Sequence, residues 1–309
     1  MSRSSGNGKA ELTSRQRVLV SLVEALGGTI SATDFQKLLF LYVNEAEAEP
    51  SFEFVPYQFG CFSFGSYAEK RRLIGAGLLE DDEKAWRLTE AGEMSSRQPD
   101  LNALKISAFV RKYKRLRGAA LVTEVYRRYP YYAIRSEVLD EILPSLEDRG
   151  KVEAARPPKR KPGLLTIGYE GKSLETYLNQ LIKASVTLLC DVRRNAISRK
   201  YGFSGSTLSQ ACGQVGILYI HLPGLGIASS ERQGLSKKED YVVLFSVYRK
   251  ESLPKHQPEL DQIQSWIVKE KHRVALTCFE RDPNDCHRHC VADAIAKRAC
   301  VGFSTLHLP

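Results

Sequence analysis

The chain has 309 residues, 43% of them hydrophobic and 26% charged, and its formal net charge is +9. That length accommodates two domains with a sizeable core, and no apolar run reaches the roughly 18 residues of a membrane span, which sets membrane proteins aside. Seven cysteines, an odd number with no apolar leader before them, read as reduced thiols in the cytoplasm rather than as a secreted disulfide scaffold.

Residues 1–12 are polar and lack the apolar core of a signal peptide, so a short disordered lead is expected. Residues 13–155 read as mainly helical. In "RQRVLVSLVEAL", Val18, Leu19, Leu22, Val23 and Leu26 recur at helical spacing, and Gly27-Gly28 stop the helix. "SATDFQKLLFLYVNEAEA" opens with Ser31 or Thr33 as N-cap and carries Phe35, Leu38, Leu39 and Tyr42 as an apolar stripe. A third helix is expected over "SYAEKRRLIGAG", then two short strands around the acidic turn Asp81-Asp82-Glu83. Helices followed by a small hairpin predict a winged-helix-like domain, which grips nucleic acid or a protein partner. The acidic tip argues against that tip lying on phosphates.

Between these helices lies "FEFVPYQFGCFSFGSY". Aromatics at this density pack inward as a core under a loop; the other reading is a stacking platform for bases. "LVTEVYRRYPYYAIRSEVL" reads as a helix to Arg128, interrupted at Pro130 and resuming near Ser136.

Three basic clusters stand out: "RKYKRLRG" (111–118), "RPPKRKPG" (156–163) and "RRNAISRK" (193–200). Each alone reads as solvated surface, but three together favour a polyanionic partner. The second, rich in proline, is the expected linker between the domains.

From residue 164 the pattern changes. Short apolar runs, "LLTIG", "TLLCDV", "ILYIHL", "VALTCF" and "FSTLHL", alternate with helical stretches, "SLETYLNQLIKA", "STLSQACGQVG", "ELDQIQSWIVKE" and "HCVADAIAKRA". The helix "STLSQACGQVG" is expected to be capped by Ser204 or Ser206 and stopped by Gly216. An irregular stretch is expected after the third strand, including "DYVVLFSVYRKESL". The alternation predicts an α/β fold: a parallel-sheet, three-layer domain over 164–309, preceded by the helical domain.

Open parallel sheets bind ligands at the carboxyl ends of their strands. Just past the first strand come Tyr169 and Glu170; past the second, Asp191, Arg193 and Arg194; past the third, His221 and Pro223; past the fourth, Glu280, Asp282 and Cys286-His287-Arg288. Glu280 and Asp191 are candidate acids for general acid–base work or for glycosidic cleavage, with Glu170 and His287 beside them. The same carboxylates could hold a hard divalent cation for phosphodiester hydrolysis, or serve only in salt bridges to Arg193, Arg194 or Arg288. Arg193, Arg194, Arg199 and Lys200 suit a phosphate clamp, and Tyr169 suits stacking on a base or sugar. No resident cofactor is expected.

"LTCFERDPNDCHRHC" carries C-x7-C-H-x2-C, a set of four soft ligands. Zinc is not expected there, because Cys278 on its strand should point into the sheet and the side chains of residues 286 and 287 should diverge. A reactive thiolate at Cys286, next to a helix start and Arg288, is a second reading. The favoured reading is a helix-opening turn capped by Asp282 or Asp285, with His287 and Arg288 facing a pocket beside Glu280.

At these residues the sequence resembles a known family. "LLTIGYEGKSLETYLNQL", "CDVRRNAISRKYGFS", "GILYIHLPGLG" and "ALTCFERDPNDCHR" are similar to the domain of unknown function 488, from Leu164 to about Ala299. "FVPYQFGCFSF" and "RRYPYYAIRSE" resemble its longer members, which carry a winged-helix-like extension, and "DFQKLLFLY" is similar to the Panacea antitoxin domain. The resemblance implies that Glu170, Asp191, Arg193, Ser198, Arg199, Glu280, Cys286, His287 and Arg288 occupy the family's motif positions. It implies no reaction. Members often read "NPLSRK" where this chain has "NAISRK", so Ala196 replaces a proline that would stiffen the loop.

The expected function is a cytoplasmic, DNA-directed enzyme that cleaves the N-glycosidic bond of a base, including modified bases. A role in defence against foreign DNA is suggested only by analogy with the domain pairing. The alternatives are a metal-dependent nuclease, a non-catalytic DNA-binding regulator, and an antitoxin-like protein that binds a partner through the segment near Phe59.

Overall fold

The computed structural model describes residues 11–96, 102–232, 234, 237–298 and 304–309. Most of the expected disordered lead lies outside them. The chain folds as two compact units, Met1–Ala155 and Arg156–Pro309.

In the N-terminal unit, Thr13 and Gln16 form a reciprocal capping box that starts α1 (Ser14–Ala25). β1 (Thr29–Ser31) runs directly into α2 (Ala32–Ala46), where the Ser31 hydroxyl accepts from the Asp34 amide. Ser31, not Thr33, is thus the cap. A hairpin of β2 (Val55–Tyr57) and β3 (Gly60–Phe62) precedes α3 (Phe64–Gly75). β4 (Ala85–Arg87) then pairs antiparallel with β1. The order is helix, strand, helix, hairpin, helix, returning strand, so the N-terminal unit is helix-rich and a hairpin separates the two helices that follow each other directly in a winged helix. The expected hairpin around the acidic turn shrinks to one bridge, Leu79 to Leu88, because β4 takes β1 as its partner. Residues after it form α4 (Glu90–Ser96).

The aromatic segment divides: Phe52 and Phe54 are buried, Tyr57, Phe62, Phe64 and Tyr67 are half-buried, and Phe59 is exposed. Phe35 stacks on Trp86 at 4.1 Å, and Phe40 meets Phe54, Tyr129 and Tyr132 edge-on at 4.6–5.1 Å. Edge and offset contacts of this kind add to the area these rings bury. α5 (Ala103–Tyr113) and α6 (Gly118–Arg128) follow. Pro130 opens a tight turn after α6, and the next helices are the short α7 (Leu139–Ile142) and α8 (Leu146–Ala154). The restart therefore comes later than Ser136.

The C-terminal unit contains β5 (Gly163–Gly168), α9 (Leu174–Lys183), β6 (Leu188–Asp191), α10 (Gly205–Gln214), β7 (Leu218–His221), α11 (Lys238–Val247), α12 (Gln257–Val268), β8 (Arg273–Cys278), α13 (Arg288–Arg298) and β9 (Leu306–His307). Five parallel strands lie in the order β7-β6-β8-β5-β9. The central strands β5, β6 and β8 are buried almost throughout, as continuous apolar runs demand. Leu260, Ile263 and Ile267 of α12 join Val291 and Ile295 of α13 in one core with Leu188, Val274 and Leu276. Each such side chain contributes about 1.5–3 kcal/mol by leaving water. The stretch expected to be irregular is largely helical: α11 continues through a widened turn over 248–252 and a tight one over 253–256 into α12. No described helix is long and apolar enough to cross a membrane.

Candidate functional site

The strand register sets the site. Gly168 lies opposite Cys278, and Asp191 lies opposite both Thr277 and His221. The residues that follow β5, β6, β7 and β8 therefore leave the sheet at one edge, the carboxyl edge, where parallel sheets receive ligands. Two glycines let the chain cross over itself there. A Cβ on Gly168 would stand 1.8 Å from the Glu280 carbonyl oxygen, and one on Gly226 would stand 2.0 Å from the Arg194 nitrogen.

Asp191 is fully buried. Arg193 Nε donates to its two carboxylate oxygens at 2.8 and 3.1 Å, Arg193 Nη2 donates at 2.5 Å, and the Tyr219 hydroxyl donates at 2.7 Å. Arg193 Nη1 is spent on the Tyr169 hydroxyl and the Phe203 carbonyl, both at 2.9 Å. His221 Nε2 lies 2.7 Å from the Arg193 carbonyl. Burial, reinforced by the Asp191 charge, pushes the Tyr219 phenol far up, and Asp191 likewise holds Arg193 in its charged form against burial. The pair is a closed structural ion pair. Neither the expected acid at Asp191 nor the expected phosphate contact at Arg193 is open to a substrate, because each already has its partners.

The same burial corrects three further expectations. Tyr169 is 4% exposed and stacks on Phe203 at 4.4 Å, so its face is covered by protein rather than offered to a base. Arg288 is fully buried and donates to the Glu280 and Arg281 carbonyls, which fixes the backbone after β8 instead of meeting a phosphate. His287, 1% exposed, faces the protein interior and not a pocket.

What remains at least partly exposed is the loop after β6 and the acids just past β5 and β8. Arg194 and Arg199 are exposed. Their loop is fastened at its base: Gly205 N donates to the Ala196 carbonyl at 2.7 Å, and Ser204 Oγ bonds both the amide and the carbonyl of Ser198 at 3.1 Å. Ser198 Oγ accepts from the Lys200 amide, so this hydroxyl shapes the turn. Ser204 thus begins α10 while its hydroxyl serves the loop. Lys200 reaches back to the Tyr169 carbonyl at 3.1 Å, and burial lowers its pKa. Glu170 is exposed and accepts from the Arg281 amide at 2.9 Å. It lines a cleft of about 520 Å³ with Arg281, Asp282, Asn284, Asp285 and His307. Glu280, half-buried, directly precedes that lining and accepts from the Cys278 thiol at 3.4 Å.

Asp282 caps the turn that presents Cys286 and His287, accepting from the Asn284 amide at 2.8 Å. The His287 Nε2 lies 2.8 Å from the Val192 carbonyl, and its Nδ1 lies 3.8 Å from Cys278 Sγ and 4.0 Å from Cys286 Sγ. The side chains at 286 and 287 thus converge, contrary to expectation, and Cys278 joins them from the last position of β8. Burial, followed by the neighbouring Cys278, pushes the Cys286 thiol well up, which argues against a reactive thiolate there. The six described cysteines are all buried and unbridged.

Sequence reasoning missed Lys172 and Tyr219. Lys172 is 8% exposed, donates to the Gly168 carbonyl at 2.7 Å and to the Pro309 carbonyl, and has its pKa lowered to about 8 by burial and by the charges of Arg288, Arg281 and Lys200. The available signal was its place one turn after the first strand. Tyr219 is two residues before the end of β7, and nothing in its neighbourhood marked it.

Five parallel strands flanked by helices define an α/β domain with two acids, Glu170 and Glu280, just past neighbouring strand ends. Residues 173–295 match the family model described as Domain of unknown function DUF488. The match lies within the C-terminal unit and is narrower than the resemblance at both ends: β5, Tyr169 and Glu170 precede it, and no match covers the N-terminal segment compared with the Panacea domain. No curated protein matches the chain.

Proposed function

We propose that this protein is a nucleic-acid-directed hydrolase that cleaves the N-glycosidic bond of a base in DNA. The observation that carries the reading is the placement of two acids on neighbouring strand ends. Glu170 follows β5 and Glu280 follows β8, and the Glu170 carboxylate is tied to the Arg281 amide beside an open cleft. In this reading Glu280 is the acid that protonates the leaving base, and Glu170 activates water from the cleft side. Arg194 and Arg199, on the fastened loop after β6, take phosphates. The Asp191–Arg193 pair positions that loop rather than reacting. Exposed Arg111, Lys114 and Arg115, at and after the end of α5 in the helix-rich N-terminal unit, support a grip on duplex.

The test is a cleavage assay on duplex DNA, plain and base-modified, with and without magnesium. Each sample is split and half is treated with hot alkali. Breaks that need alkali and vanish in Glu280→Gln are expected. Arg194→Ala and Arg199→Ala should each lower the salt slope of binding by about 1. Breaks without alkali that require magnesium would replace this reading by a nuclease. A retained gel shift with no breaks would replace it by a binding module.

A further inference from the structure

The cluster behind the acids has a second chemistry, which goes beyond the reading above and does not rest on it. Cys278 ends β8, and Cys286 and His287 follow a capped turn, yet their three ligand atoms lie within 4.8 Å of one another. All three residues are at most 2% exposed. Among the described residues no other group of His, Cys, Asp or Glu is placed this way.

The histidine is set for ligation. A carbonyl oxygen only accepts, so the Val192 carbonyl, 2.8 Å from His287 Nε2, holds the proton on that nitrogen. The Nδ1 lone pair is then aimed at the two sulfurs. A ligating histidine whose other nitrogen donates to a backbone carbonyl is the usual outer-shell arrangement of a metal site. The Tyr248 ring packs edge-on against the imidazole at 5.9 Å, and its hydroxyl is anchored on the Leu225 carbonyl at 2.6 Å, so the ring cannot turn freely.

The separations fit one ion. Bonds of about 2.3 Å to sulfur and about 2.0 Å to nitrogen, in tetrahedral geometry, place sulfur about 3.6 Å from nitrogen. The observed separations are 3.8 and 4.0 Å. Two thiolates and an imidazole select a soft or borderline ion over magnesium or calcium. We propose that Cys278, Cys286 and His287 Nδ1 bind one zinc ion.

The full chain, purified without chelator, should carry about one zinc per molecule by mass spectrometry of the metal, and Cys278→Ala, Cys286→Ala and His287→Ala should fall below about one tenth. Cys290→Ala, which removes a buried cysteine outside the trio, should keep its zinc. Glu280→Gln, which leaves all three ligands in place, should keep its zinc. If the ligand variants misfold, wild type still decides: stripped under reducing conditions and given cobalt, it should show a thiolate-to-cobalt charge-transfer band. Wild type that holds no zinc and gives no such band overturns the site, as does Cys278→Ala that folds and retains full zinc. Metal content is read without any DNA, so its outcome is separate from that of the cleavage assay.

Discussion

Replacing Asp191 by Asn tests whether the buried pair is a framework or a reactive group. Asn keeps the size and can still accept from the Tyr219 hydroxyl, which lies 2.7 Å away. It cannot balance Arg193, whose Nε and Nη2 both donate to the carboxylate and whose side chain is 6% exposed. Removing one member of a buried, hydrogen-bonded pair costs about 3–5 kcal/mol, most of it from the stranded partner. The assay is urea unfolding of the full chain with Trp86 replaced by Phe, so that Trp266, buried in the C-terminal unit, reports alone. Asp191→Leu combined with Arg193→Met removes both charges and should recover at least about half of the loss. A loss below about 1 kcal/mol for Asp191→Asn, or a double variant that recovers none of the loss, would refute the framework role and restore Asp191 as a candidate acid.

Two further outcomes are expected. Gly168→Ala would place a methyl 1.8 Å from the Glu280 carbonyl, and should destabilise the C-terminal unit by more than about 3 kcal/mol in the same unfolding assay; a change under about 1 kcal/mol would mean that the crossing relaxes. Lys172 has its folded pKa lowered from 10.5 to about 8. The unfolded chain therefore holds more protons between those values, and stability should rise as pH increases from about 8 to about 10.5 by roughly 1–3 kcal/mol. Lys172→Met should lack that rise when unfolding midpoints of the two proteins are compared across the range; parallel curves would contradict it.

The sequence was most legible where one periodicity decided the outcome. The buried strands ending at Gly168, Asp191 and Cys278 and the helices with clean apolar stripes were readable because burial on both faces demands continuous apolar runs. So was the edge at which Glu170, Asp191 and Glu280 emerge. Two things were not readable. A strand's partner is a long-range property, so nothing local told Ala85–Arg87 to pair with Thr29–Ser31. The state of a polar residue at the edge also depends on neighbours far along the chain: Asp191 is sealed by Tyr219, and His287 is aimed by the Val192 carbonyl. Composition just past a strand identifies candidates, but it does not separate those already partnered from those that still face solvent.

If Arg194 and Arg199 take phosphates as proposed, the fastened loop after β6 sets the terms on which they do so. The turn that contains Ala196 is held by backbone and serine hydrogen bonds. Arg194 and Arg199 therefore project from a backbone whose shape is already set. When either closes on a negative group, it gives up only its own rotamer freedom, about 1.5–2 kcal/mol for a long side chain, and no loop has to order around it. Recognition at this edge should consequently be fast and shallow in its entropy, with selectivity residing in the reach of two side chains rather than in the folding of a lid.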